Sequence, residues 1–221
     1  MNDAIARTEI LARIRSANAA HQTTCAADAW QAIPREYRQQ GERDRVDCIS
    51  LLEDRLRDYG AGVYRSARGQ ISVAIAGILR QRNCRRVLVP AELDRDWLPQ
   101  QFTFVTDSGL SHGELDACDG VLTGCSLAIA MTGTLVLSRA DGLSPEQRAG
   151  RRALTLVPDY HLCIVESSSV VETVPQAFHA LEPLKHQPIT FISGPSATAD
   201  IEMTRIQGVH GPRVLDVLLV D

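Results

Sequence analysis

The stretch Pro188 to Pro212, PITFISGPSATADIEMTRIQGVHGP, decides how the rest of the chain is read. Its β-branched and aromatic run, Ile189 to Ile192, predicts a buried strand, and Gly194-Pro195 turns the chain abruptly. Ser196 and Thr198 are good helix N-caps, and Asp200 and Glu202 suit the positive end of a helix dipole. A strand, a tight loop and a helix start are therefore expected. Where such a loop sits at the carboxyl edge of an open parallel sheet, unpartnered backbone N–H groups converge on a ligand. Capping and anion binding use the same atoms, so both readings of the stretch stand.

Outward from that stretch, short apolar runs alternate with helical spacing. Val63-Tyr64, Arg86 to Val89, Phe102 to Val105, Val121-Leu122, Leu135 to Leu137, Leu162 to Val165 and Val214 to Val220 read as strands, and Ile71 to Gln81 and Val174 to Leu181 as helices. Ser126 to Ala130 reads as a short helix of small residues that approaches the sheet closely. Alternation of this kind implies crossover connections and a mainly parallel sheet with helices on both faces. Val46 to Asp58 is a further helix. Before it, Asn2 to about Ala20 is an amphipathic helix with Ile5, Ile10, Leu11 and Ile14 on one face. The polar stretch His21 to Arg45 is an arm with at most a short helix around Ala26 to Ala32. The expected organisation is an N-terminal helix and arm over residues 1–45 and an α/β domain over 46–221.

Composition narrows the function. A chain of 221 residues, 44% hydrophobic and 23% charged, buries a proper core without staples. A net charge of −4 lacks the concentrated basic face that nucleic acid or an anionic membrane requires, so a small molecule or a protein is the expected partner. No apolar run reaches the roughly 18 residues of a membrane span. Six cysteines, none in a C-x-x-C arrangement, give no zinc or iron–sulfur signature and suit thiols in a reducing cytoplasm. Cys125, between Gly124 and Ser126, has no visible base beside it.

Four segments carry a resemblance. Ala128 to Thr134 (AIAMTGT), Arg151-Arg152 with Leu156 to His161 (LVPDYH), Gly194 to Glu202 (GPSATADIE) and Gly208 to Pro212 (GVHGP) resemble, in this order, motifs of the LUD domain family. The resemblance runs from about Asp119 to the C-terminus. It implies a Rossmann-like three-layer α/β/α sandwich, like that of the phosphosugar isomerase, CoA-transferase and formyltetrahydrofolate cyclo-ligase superfamily. It also implies an accessory role with iron–sulfur partner proteins in oxidising L-lactate to pyruvate. With no cysteine motif the chain is expected to hold no cofactor of its own, the clusters belonging to the partners. The family often has Glu before the Thr-Gly pair, where this chain has Met131.

Lactate and pyruvate are small carboxylates, and the residues suited to such an anion are Thr132 and Gly133 in one turn, Arg151 or Arg152, His161, and Gly194, Ser196 and Thr198 in the loop. Arg151 and Arg152 are adjacent, so one of them is expected to point inward. His210 oriented by Asp200 or Glu202 is the candidate proton-transfer group; the same three with His161 have the residue types of a divalent metal site, though their spacing is not diagnostic and no metal is assigned. Two other readings remain: a stand-alone enzyme acting on an acyl, sugar-phosphate or folate-like anion, and an assembly module whose arm docks partners or a second copy.

Overall fold

A computed structural model describes residues 3–19, 25–139, 149–198, 206–207 and 211–221. They divide into two compact units, residues 1–37 and 38–221. The smaller unit carries helices α1 (Asp3–Ala19) and α2 (Ala26–Gln31). Ile5, Ile10, Leu11 and Ile14, read as one apolar face, are exposed, and the Arg35 guanidinium lies 4.9 Å from the Trp30 ring centre.

The larger unit runs α3 (Arg45–Asp58), β1 (Gly62–Ser66), α4 (Ile71–Gln81), β2 (Arg86–Val89), β3 (Thr103–Thr106), α5 (His112–Asp116), β4 (Gly120–Gly124), β5 (Leu127–Ile129), β6 (Thr134–Ser138), β7 (Tyr160–Glu166), β8 (Val170–Val171), α6 (Val174–Ala180), β9 (Ile189–Ile192), β10 (Ala197–Thr198), β11 (Ile206–Gln207) and β12 (Val214–Val220). Six strands form one wholly parallel sheet in the order β1-β12-β7-β4-β2-β3. The fold is α/β with this sheet at its centre, as the alternation of short apolar runs and helices requires.

Each face of the sheet has its own core. On one, α4 lays Ile71, Ile75, Ile78 and Leu79 over Leu122, Leu162, Ile164, Leu218 and Val220. On the other, α3 lays Ile49, Leu52 and Leu56 over Cys163, Val165, Val217 and Leu219. Helix α3 starts where the Asp44 carboxylate accepts the Asp47 amide at 2.9 Å, an N-cap. Val46, in its first turn, is exposed, whereas Cys48 is buried.

That second face carries an element absent from the sequence reading, a four-stranded sheet in the order β8-β5-β6-β9. Two expectations are corrected by it. Leu127 to Ile129 is strand β5, paired antiparallel with β6, and not part of a helix. Ala128 and Ala130 are fully buried in the layer shared with α3, so small side chains do serve close packing, but between sheets. The other correction concerns β9, which pairs antiparallel with β6 and stands outside the parallel sheet. The loop after β9 therefore does not leave the carboxyl edge of that sheet. Past Gly194-Pro195 the chain forms β10, hydrogen-bonded to β11, where a helix start was expected.

A strap at residues 38–43 is tied down by one buried carboxylate. Glu172, 2% exposed, accepts from the backbone N–H of Arg43 at 2.7 Å and of Glu42 at 2.6 Å, and pairs with the guanidinium groups of Arg43 and Arg38. The Arg43 amide first, with the Glu42 amide and the two arginines, holds its pKa down at about 2. Because the folded value lies below the unfolded one, this contribution is complete above about pH 4.5 and is lost as pH falls through about 2. Glu172→Gln is expected to loosen the strap at neutral pH. Faster tryptic cleavage after Arg38 and Arg43 would be the readout, and an unchanged cleavage rate would count against the tie.

Candidate anion-binding cleft

The register of the parallel strands sets the floor of the cleft. His161, the second residue of β7, lies beside Val121 of β4 and Leu215 of β12, so it stands towards the amino-terminal ends of these strands. Alternation puts it on the same face as Cys163 and Val165. Its Nε2 is 2.8 Å from Thr123 Oγ1, two residues further along β4. Burial first, and the neighbouring Arg152 charge second, push its pKa down to about 3, so the imidazole is neutral at physiological pH.

One wall is the 3₁₀ turn Arg152–Thr155. Three residues per turn bring positions i and i+3 together, and Arg152 Nη1 donates to Thr155 Oγ1 at 2.9 Å. Among the described residues Arg152 pairs with no carboxylate. Partial burial lowers its pKa from the ordinary arginine value, and the group remains a cation. Arg151 behaves differently: its Nε donates to Asp107 at 2.6 Å and its Nη2 to the Leu110 carbonyl, which anchors the loop after β3. Of the adjacent pair, Arg152 alone lines this cleft.

The opposite wall is the end of β9 with its loop, Phe191 to Ala197, and Gly211-Pro212 and Leu215 close the cavity at about 230 Å³. The Ser196 amide, one of the loop donors expected to face an anion, donates to the Pro212 carbonyl at 2.8 Å and so closes the loop. Gly194 has φ +83°, and a Cβ there would stand 2.6 Å from Tyr59 Cβ. Glycine at 194 is thus explained by the approach of the chain just after α3, a packing requirement.

Thr132 and Gly133 stand apart from the cleft lining. Gly133 has φ +59° and meets Arg55, where a Cβ would be 2.7 Å from Arg55 Cβ. The Thr132 hydroxyl lies 2.7 Å from that of Thr134, which lies 2.8 Å from Ser193 Oγ at the cleft rim. A chain of hydroxyls therefore connects the hairpin turn to the site. Met131 is exposed, and its amide donates to the Glu172 carbonyl. Thr198 pairs with Ile206 in the small ribbon. Asp200, Glu202 and His210, the candidate proton-transfer group, lie outside the described residues. Among the described residues no three of His, Cys, Asp and Glu cluster closely enough to hold a metal ion, and no helix is long and apolar enough to cross a membrane. Cys125 is fully buried, its thiol donating to the Leu127 carbonyl at 3.1 Å.

Sequence reasoning missed Thr123, Thr155 and Ser193. Thr155 had a usable signal, since it follows Arg152 at the three-residue spacing of a tight turn. Thr123 had none, because its meeting with His161 depends on which strands are neighbours.

The family model described as LUD domain matches residues 96–220. A lactate utilization protein C from Deinococcus radiodurans is 43% identical over 180 residues, 80% of this chain and 81% of that protein. The protein of the same name from Shouchella clausii is 32% identical over 120 residues, 52% of this chain and 49% of that one. A crystal structure of a DUF162 family protein from Deinococcus radiodurans superposes with a TM-score of 0.68 at 36% identity, covering 81% of this chain and 100% of that one.

Proposed function

Starting from the fact that this chain belongs to the LUD domain family, we propose that it serves lactate utilisation in the cytoplasm as an accessory subunit that binds a small carboxylate in the Arg152 cleft. The oxidation of lactate to pyruvate would be carried by iron–sulfur partner proteins. Two relatives named for lactate utilization support the pathway, and the absence of any C-x-x-C pair supports placing the clusters on partners.

One observation carries the ligand class: a guanidinium without a carboxylate partner among the described residues, set in a concave site beside a neutral imidazole and the Thr155 and Ser193 hydroxyls. Millimolar binding requires about 4 kcal/mol. Hydrogen bonds to charged groups contribute about 1.5–3 kcal/mol each, and a guanidinium offers two in parallel to a carboxylate. Arg152 can therefore supply most of a millimolar affinity by itself, with the hydroxyls orienting the bound acid. His161, being neutral, adds no charge and can serve as a hydrogen-bond partner only.

Thermal-shift measurement with lactate, pyruvate and phosphate tests the reading. Ligand at 100 times its dissociation constant adds about 2.7 kcal/mol, which for a chain of this size raises Tm by roughly 5–10 °C. Arg152→Ala is expected to remove the shift without lowering the ligand-free Tm, and to abolish lactate-dependent growth at unchanged protein level. Ser196→Ala is expected to weaken that growth. The reading fails if all three anions leave Tm unmoved, and purification of the chain from lactate-grown cells without iron–sulfur proteins would remove the partner assignment.

A further inference from the structure

The Arg152 cleft opens beside a second and larger cavity. A chamber of about 510 Å³ is lined by Ser138, Arg139, Arg151, Arg152, Gln187 and Thr190, among others. It shares both Arg152 and Thr155 with the inner cleft, so the 3₁₀ turn stands between the two spaces. Arg151 is occupied by Asp107 and Leu110. Arg139, the residue after β6, is exposed and forms no ion pair among the described residues. Two guanidinium groups without carboxylate partners among those residues thus border one concavity.

Cavities of a few hundred Å³ are the usual size for ligands well beyond a three-carbon acid. Such an acid would fit within the inner cleft and leave the chamber, with its second cation, to water. Concave walls with one sign of charge concentrate the field and attract the opposite charge.

We infer that the natural ligand is a longer, doubly anionic small molecule: a carboxylate held by Arg152 in the inner cleft, and a phosphate or second carboxylate reaching Arg139 across the chamber. The inference rests on the carboxylate reading of the inner cleft and adds to it the length and second charge of the ligand. It separates the roles of the two arginines: Arg152 binds the head common to all ligands, and Arg139 selects those with an acidic far end.

Calorimetric titration of the full chain with two matched pairs tests this: glycerate against 3-phosphoglycerate, and gluconate against 6-phosphogluconate, which differ in reach. At least one phosphorylated acid is expected to bind tenfold or more tightly than its parent, as one added charge-assisted contact provides. That ratio should collapse towards one in Arg139→Ala and Arg139→Gln and be largely restored in Arg139→Lys. Arg152→Ala should weaken every probe. If the parent acids bind through Arg152 and neither phosphorylated acid binds more tightly, the second subsite is overturned and the inner cleft stands. A phosphate advantage that persists in Arg139→Ala also overturns it. Failure of all four probes to bind would sink both readings.

Discussion

Asp216→Ala is expected to destabilise the protein by about 3–5 kcal/mol, the usual result of removing one partner from a buried ion pair. Asp216 lies in β12, between β1 and β7, and is fully buried. Its carboxylate receives Arg82 through both Nε at 2.8 Å and Nη2 at 2.6 Å, and the Tyr160 hydroxyl at 2.9 Å. Truncation would leave the Arg82 charge half-buried and the Tyr160 hydroxyl without its acceptor. Neighbouring strand β1 is adapted to the pair: Gly62 is in register with Asp216, and a Cβ on it would come within 2.2 Å of Oδ1. Gly62→Ala should therefore destabilise as well, by pressing on the same carboxylate. Urea unfolding at pH 7 measures the effect, read as a lower midpoint at unchanged slope. Arg82→Met in the Asp216→Ala background should recover part of the loss, since the orphaned charge goes with it. A single-mutant loss below about 1 kcal/mol would show that water reaches and relieves the group.

How much of this was legible beforehand depended on whether the information was local. The bounds of strands β2, β9 and β12 were readable residue for residue, because short β-branched runs bounded by Pro, Gly or charged residues need no partner to be recognised; the burial expected of β9 was not met, since it is only half-buried and leaves Phe191 exposed. The parallel sheet followed from alternation of runs. The second sheet did not, for two physical reasons. Ala128 and Ala130 are small for their fit between layers, and small residues favour a helix when packing is ignored. Ile189 to Ile192 reads as a strand whichever sheet it joins, and only its pairing with β6 decides. The cleft divides along the same line. Arg152 and His161 were visible as residue types in a recognisable motif, whereas the opposite fates of Arg151 and Arg152 are fixed by Asp107, 44 residues away from Arg151. Gly133 and Gly194 looked like ligand-approach glycines because the sequence marks only the need for a positive φ. It does not say that α3 and Tyr59 cause that need.

The protein is expected to lose stability steeply on mild acidification, and His161 is expected to be the main source above pH 5. In the folded chain burial holds its pKa near 3, whereas an unfolded histidine titrates near 6.5. Between those values the unfolded chain carries a proton at this position that the folded chain does not. Stability is then complete above pH 6.5 and falls as pH falls through the window, at about 1.4 kcal/mol per unit and on the order of 5 kcal/mol across it. The Glu172 contribution changes only below about pH 4.5, so unfolding measured between pH 5 and 7 reports on His161 without it. His161→Gln retains a polar partner for Thr123 and does not titrate; its stability should be nearly flat over that range. The same linkage reaches the ligand. An anion bound to Arg152 supplies the opposite charge that an imidazolium lacks, so it should raise the His161 pKa and flatten the acid slope, and by reciprocity bind more tightly as pH falls. An acid slope equal in the parent and in His161→Gln would mean that the buried imidazole is not its origin.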